Sequence, residues 1–347
     1  MLRLPRFRFL RPQSLAEAAA VLAGEGAGEG QPVRLVAGGT DLWPNMKRRH
    51  QKAATVVSLM GVPDLAGVRA NGELRIGATT ILDDLARHPA VRGRWPVLAR
   101  AVSSISSPPL RQMGTLGGNL CVDTRCTYYN QTEDWRRSIA FCMKEEGEIC
   151  WVATSSPRCW AHAASDSAPV LLALGARVRL VSAAGEREVP LAALYRDDGI
   201  DYLAKRPDEI LTEVVMPSEA DASRCRASFW KLRRRGSIDF AVLSAAAALW
   251  TAPDGTIERA RLVLGAVSSK PLAVPEAEAL LTGQRPTPER IAEAARLARQ
   301  AATPMDNTDF QTQWRVKMVE AYAEAALREA AGLPVERPAP KHPLAVL

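Results

Sequence analysis

Two paired-glycine turns, "LVAGGTDL" at 35–42 and "GTLGGNL" at 114–120, restrict the fold more than any other feature of the chain. Paired glycines let backbone N–H groups converge on one point, and the missing side chains let an anionic group come close. The first turn follows an apolar β run, "PVRLVAGG", and has the outline of a diphosphate site. It lacks both the G-x-G-x-x-G of a nucleotide-binding βαβ unit and the Gly-Lys-Ser/Thr of a P-loop, so two familiar nucleotide folds fall away. A lone Gly-Gly pair is most often only a turn. Here the device recurs, with the Thr115 hydroxyl and the Asn119 amide beside the second pair, suited to phosphate and ring edges alike. Two such loops facing each other can hold a long dinucleotide.

Around these turns the patterns alternate between helix and strand over 347 residues, enough for about two or three packed units. Ser14-Leu15-Ala16-Glu17 has the form of a capping box, and Leu15, Ala18, Ala19 and Leu22 continue at helical spacing until Gly24 and Gly26. With the strand "ATVVSL" (54–59) this makes a small α/β unit over 1–60. A second region, 61–222, contains strand-like "GELRIGATTIL", helical patterns at 80–88 and 95–104, and "SAPVLLALGARVRLV". The last reads as a helix with Pro169 in its first turn and Gly175 at its end, followed by a strand; "DEILTEVVMP" is a further strand closed by Pro217. In the third region, 223–331, "ASFWKL", "AVLSAAAALW" and "RARLVLGAV" suit strands, and 287–302 and 309–331 suit helices. "AVLSAAAALW" stays ambiguous, because alanines favour helix while a bounded apolar run favours a buried strand. The proline-rich tail 332–347 is expected to be extended.

The formal charge of +7 permits an acidic partner, but the basic residues are scattered. The runs Lys47-Arg48-Arg49-His50 and Arg233-Arg234-Arg235 are short, and they read as solvated or partner-facing edges rather than a nucleic-acid groove. Charges and prolines interrupt "MLRLPRFRFLRPQSL", so no secretory h-region is expected, and no apolar run reaches the roughly 18 residues of a membrane span. A cytoplasmic setting follows as an expectation, in which the 6 cysteines are reduced thiols or metal ligands.

"VAGGTDL", "TLGGNL", "SDSAPVLLALGA" and "FWKL", in this order, resemble the flavin-binding subunits of the xanthine dehydrogenase family of molybdenum hydroxylases, and the resemblance covers nearly the whole chain. It implies an α+β protein: a FAD-binding fold of the vanillyl-alcohol oxidase type, built from two α/β subdomains, and a C-terminal α/β domain. It implies FAD held noncovalently, its diphosphate wrapped by the backbone of Val36, Ala37, Gly38, Gly39, Thr40 and Asp41, with Arg34 and Leu35 leading in. Thr115, Gly117, Gly118 and Asn119 would form the second wall, with Cys121 and Val122 beside the flavin. Ser165 and Asp166 match the pair that reaches the adenosine part, Ile210 is a further contact, and Lys231 matches the lysine that approaches the isoalloxazine. A cation there stabilises the anionic reduced ring. Without the motif, Lys231 would read as an exposed strand lysine. No catalytic residue is implied, because substrate is handled by another chain.

In this family the Gly-Gly-Asn turn and the Ser-Asp pair follow one another closely, whereas here residues 120–164 separate them. The insert spans about 123–163. Cys121, Cys126, Cys142, Cys150 and Cys159 lie in or beside it, and Cys225 stands apart. Their spacing lacks C-x-x-C knuckles, which disfavours structural zinc while leaving it open. Four thiolates from an irregular segment can hold an iron–sulfur cluster. Trp135, Phe141, Trp151 and Trp160 are available to screen it from water.

"CTYYNQ", "FCMK", "ICWV" and "SPRC" are similar to the insert of the 4-hydroxybenzoyl-CoA reductases within the family, whose flavin subunit carries a [4Fe–4S] cluster. The resemblance implies Cys126, Cys142, Cys150 and Cys159 as ligands and Cys121 as the spare, although by sequence Cys121 and Cys126 can exchange roles. His162 is expected to pack rather than ligate. The implied route runs from a ferredoxin-like one-electron carrier through the cluster and FAD to a small [2Fe–2S] subunit and a large molybdopterin subunit, in a dimer of heterotrimers. A hydroxylase passing electrons outward would look identical in this chain, and a zinc-stabilised docking module without flavin is a third reading.

Overall fold

A computed structural model describes residues 2–25, 32–336 and 338 and builds them on three sheets. The first consists of parallel strands β1 (Arg8–Leu10), β2 (Val33–Val36) and β3 (Thr55–Ser58) in the order β1-β3-β2, with helices α1 (Leu15–Glu25) and α2 (Leu42–Lys47) between them. The start of α1 follows the capping expectation, since Ser14 Oγ accepts the Glu17 N–H at 3.1 Å. The Glu17 carboxylate reaches back one residue further than the motif requires, to the Gln13 N–H at 2.7 Å. The helix continues past Gly24 to Glu25, because one glycine costs only about 1 kcal/mol and is no stop by itself. Gly26 lies outside the described residues.

The second sheet is antiparallel, formed by β4 (Val68–Arg69), β5 (Arg75–Gly77), β6 (Arg177–Ser182), β7 (Gly185–Pro190) and β8 (Ile210–Val215) in the order β4-β5-β8-β6-β7. Helices α3 (Leu82–Arg87), α4 (Pro89–Arg94), α5 (Pro96–Ser103), α6 (Pro108–Arg111), α7 (Leu116–Leu120), α8 (Glu133–Ser138) and α9 (Ser167–Leu174) fill the long excursion between β5 and β6, and α10 (Glu219–Arg224) follows β8. Gly175 closes α9 in the left-handed region, at φ 82°. Strand β5 is much shorter than "GELRIGATTIL" suggests. After Gly77 the chain leaves the sheet to grip the second glycine turn: the Leu116 and Gly117 N–H groups donate to Thr80 O and Ala78 O, and the Leu82 N–H to Gly114 O.

The third sheet, antiparallel and ordered β12-β11-β10-β9, is made of β9 (Cys225–Leu232), β10 (Leu243–Thr251), β11 (Ile257–Gly265) and β12 (Leu272–Ala273). Helices α11 (Pro275–Leu281), α12 (Pro288–Ala301) and α13 (Thr312–Ala331) cover it. The ambiguous "AVLSAAAALW" is the strand β10, buried on both sides. Ala246, Ala248 and Trp250 join the core of the second region, while Ala245, Ala247 and Leu249 pack with α12 and α13. Small side chains let both layers approach the strand, and this packing overrides alanine's helical preference. Of the tail, residues 332–336 and 338 are irregular and the rest lies outside the described residues. Among the described residues no helix is long and apolar enough to cross a membrane.

Arg315 of α13 is fully buried and ties this region together, donating to Val242 O (2.9 Å), Ala266 O (2.7 Å) and Met305 O (2.7 Å). Burial lowers its pKa to about 10, which leaves it a cation at neutral pH. Arg315→Met strands these carbonyls, each at a cost of about 1–3 kcal/mol. A loss of about 3 kcal/mol or more in denaturant unfolding is expected, and a loss below about 1 kcal/mol contradicts this account.

Candidate functional site

The two glycine turns meet backbone to backbone. A Cβ built on Gly38 would stand 1.7 Å from the carbonyl oxygen of Met113, so only glycine permits the approach. Gly39 sits at φ +70°, and a Cβ there would strike the Trp43 indole at 2.0 Å. Gly117 packs against Ala78, while a Cβ on Gly118 would meet only Thr115 Oγ1 within 4 Å, leaving that stretch of backbone open. Thr115 caps α7 by accepting the Gly118 N–H at 3.2 Å.

Asn119 Oδ1 accepts from Ser165 Oγ (2.9 Å), Ser167 N (3.2 Å) and Ser167 Oγ (2.6 Å), which locks the start of α9 onto the second turn. Beside it, Lys231 Nζ donates to Asp166 Oδ2 at 2.6 Å and to Ser104 O at 3.1 Å. Both side chains of the pair are buried, 5% and 4% exposed. Asp166 Oδ1 is buried without a partner, and burial pushes this carboxyl up while Lys231 holds it down. A buried acceptor without a donor is costly, so the site suits a group bringing an N–H edge to it, as a flavin or adenine ring does.

The direct ion pair brings together Asp166 and Lys231, which are 65 positions apart in sequence. Ile210 is 0% exposed, in the cluster formed by Ala18, Leu22, Leu59 and Leu65. Cys121 is half-buried, its carbonyl accepting from Tyr202 Oη at 3.2 Å, and burial raises its thiol pKa.

The insert begins and ends at a β-bridge, where Arg125 and His162 exchange backbone hydrogen bonds of 2.9 and 2.8 Å. Within it Cys126, Cys142, Cys150 and Cys159, none more than 7% exposed, line one small cavity together with Tyr129, Lys144 and Trp151. Cys121 is not in its wall. All six cysteines are free thiols. Of the four, the Cys159 sulfur accepts a backbone N–H just downstream, from Ala161 at 3.4 Å. A donor of this kind stabilises a thiolate ligand, whereas burial is the main cause that pushes Cys126 up to about 12 and Cys159 up to about 11. Among the described residues no three or more His, Cys, Asp or Glu side chains are gathered closely enough to hold a single metal ion.

Several supports of this cavity carry no sequence signal. Gly199, far along the chain, leaves room for Cys159, since its Cβ would lie 2.6 Å from that sulfur. Ala140 and Phe141 both take left-handed φ values, 55° and 59°, directly before Cys142. They are held there by the bonds of Phe141 N–H to Arg136 O (2.7 Å) and of Trp151 Nε1 to Phe141 O (2.7 Å). Of the expected aromatic screen, Trp151 lines the cavity, Trp135 is 39% exposed, and Phe141 and Trp160 do not reach the wall. His162 bonds through Nδ1 to Ala163 O at 3.0 Å, with its pKa lowered to about 3 by burial. The insert is anchored to the first glycine turn by the ion pair of buried Arg125 with half-buried Asp41, and to the third region by Asn307, which accepts from Thr127 N and donates to Trp160 O.

A paired glycine cradle between two α/β units, with an N–H acceptor and a lysine at one end, defines a flavoprotein. Residues 5–219 match the FAD binding domain in molybdopterin dehydrogenase, and residues 227–330 match the CO dehydrogenase flavoprotein C-terminal domain. The chain belongs to the FAD-binding subunits of the CO dehydrogenase and xanthine dehydrogenase type of molybdenum hydroxylases. It is 33% identical over 259 residues to the aldehyde oxidoreductase FAD-binding subunit PaoB of Escherichia coli, covering 72% of this chain and 79% of that one. It is 27% identical to the 6-hydroxypseudooxynicotine dehydrogenase complex subunit alpha of Paenarthrobacter nicotinovorans, over 94% of this chain and 95% of the other. Among solved structures, a carbon monoxide dehydrogenase from Hydrogenophaga pseudoflava matches with a TM-score of 0.76 at 26% identity, over 95% of this chain and 99% of its counterpart.

Proposed function

We propose that this chain is the electron-transfer subunit of a molybdenum hydroxylase-type complex and that its insert adds a [4Fe–4S] cluster on Cys126, Cys142, Cys150 and Cys159. The convergence of four buried thiols on one cavity, beside but separate from the flavin turn, carries the reading. FAD supplies two-electron chemistry with single-electron release, and the cluster single-electron exchange. In the cradle, Gly38, Gly39 and Thr40 take the diphosphate, Asn119 and Ser165 fix the second wall, and Asp166 with Lys231 holds a ring edge. The vanillyl-alcohol oxidase type of flavin fold, boundaries near 60 and 222, and a cytoplasmic setting belong to the same reading.

A one-electron site points to a one-electron, ferredoxin-like carrier, with a small [2Fe–2S] subunit and a large molybdopterin subunit completing a dimer of heterotrimers. Within this class the insert's resemblance supports a 4-hydroxybenzoyl-CoA reductase, which removes a phenolic hydroxyl to give benzoyl-CoA. The identity to PaoB favours a second reading, an oxidoreductase that passes electrons outward from its substrate. The full chain, purified anaerobically, is expected to show flavin bands over a broad absorption near roughly 400 nm, with about four irons per FAD. Flavin with one zinc and no iron would sink the cluster.

A further inference from the structure

We infer that Lys144, countered by Asp123, sets the reduction potential of the four-cysteine site from the wall that separates it from the flavin turn. The inference rests on the cluster reading above. Lys144 Nζ donates to Asp123 Oδ1 (2.7 Å), Thr124 Oγ1 (2.7 Å) and Gly199 O (2.6 Å), so all three of its protons are used. Its side chain is 5% exposed and that of Asp123 7%. Gln51 Nε2 fixes the other carboxylate oxygen at 3.0 Å.

The position of this cation is what matters. Nζ stands 5.1 Å from the centre of the Tyr129 ring, which lines the cysteine cavity, and 5.5 Å from that of Tyr202, whose hydroxyl donates to Cys121 O in the flavin turn. Lys144 lines the cavity too, two residues after Cys142. Asp123 is absent from the cavity wall, so the positive member of the pair is the nearer one.

When the site accepts one electron from a one-electron carrier, which is thereby oxidised, its charge becomes more negative by one. A fixed buried cation stabilises that reduced state more than the oxidised one, and a low-dielectric setting strengthens the effect. Removing Lys144 therefore lowers the potential, and neutralising Asp123 raises it.

The test is a reductive titration of the full chain, followed by the cluster's absorbance and spin-resonance signals, with iron and FAD measured in each variant. Lys144→Met is expected to move the reduction equilibrium at least tenfold against reduction, about 59 mV for one electron. Asp123→Asn moves it the opposite way, and Lys144→Arg restores most of the wild-type value. A general loosening of the insert would shift both neutralising variants in the same direction. Unmoved potentials, or shifts of one sign, in variants with wild-type iron content overturn the inference. If Lys144→Met loses iron, Asp123→Asn decides alone: a raised potential supports the inference, and an unchanged or lowered one ends it. Wild-type protein without iron removes the cluster reading and this inference with it, whereas full iron with an unmoved potential removes the inference only.

Discussion

Gly38→Ala is expected to leave the purified chain folded but nearly free of FAD. The added Cβ would fall 1.7 Å from the Met113 carbonyl oxygen, and its neighbour there is backbone rather than the end of a flexible side chain. Met113 cannot swing away cheaply, because the following Gly114 donates its N–H to Leu110 O at 2.8 Å and accepts from the Leu82 N–H at 2.9 Å. The two turns must therefore separate, which opens the cradle at the diphosphate. Overpacking of this kind costs about 1–3 kcal/mol, roughly five- to two-hundred-fold in affinity if it falls on the bound state. The flavin-to-protein absorbance ratio and a fluorescence titration with FAD measure it. Gly93→Ala is the control, since nothing lies within 4 Å of the added atom. Wild-type FAD affinity in Gly38→Ala, with an unchanged melting curve, would show that the turns do not form the cradle.

The glycine turns were readable because at Gly38, Gly39 and Gly117 an added Cβ would collide with its neighbours, so the physical demand is written in the residue type. The same holds for Gly175, which ends α9 in the left-handed region. Other features are set by partners remote in sequence and leave no local trace. Strand β5 stops early because the chain must reach the second turn, and β10 is a strand because layers close on it from both sides. The ion pair of Asp166 with Lys231 joins α9 to β9, and the room for Cys159 is given by Gly199. Neither partner can be found by spacing. Ala140 and Phe141 are harder still, since residues with ordinary preferences take left-handed backbone only because Arg136 and Trp151 hold them there.

Cysteine substitutions should divide the two candidate cofactors. Cys142→Ser and Cys150→Ser each remove one thiol from the four-cysteine cavity, and a serine hydroxyl, which does not ionise near neutral pH, is a poor substitute ligand for iron. Iron is expected to fall from about four per chain to background while FAD stays bound. FAD survives because Gly38, Thr115, Asn119 and Asp166 all lie outside the segment between Cys126 and Cys159, and the insert's closing bridge at Arg125 and His162 is untouched. Cys121→Ser is expected to keep all its iron, since that side chain packs beside the core under the flavin turn and not in the cavity wall. Iron analysis and flavin absorbance on the same samples decide the matter. Iron lost from Cys121→Ser but retained in Cys126→Ser would exchange their roles and extend the iron site into the flavin turn. Loss of both cofactors from every variant would instead make insert and cradle one cooperative unit, joined through the Arg125–Asp41 pair.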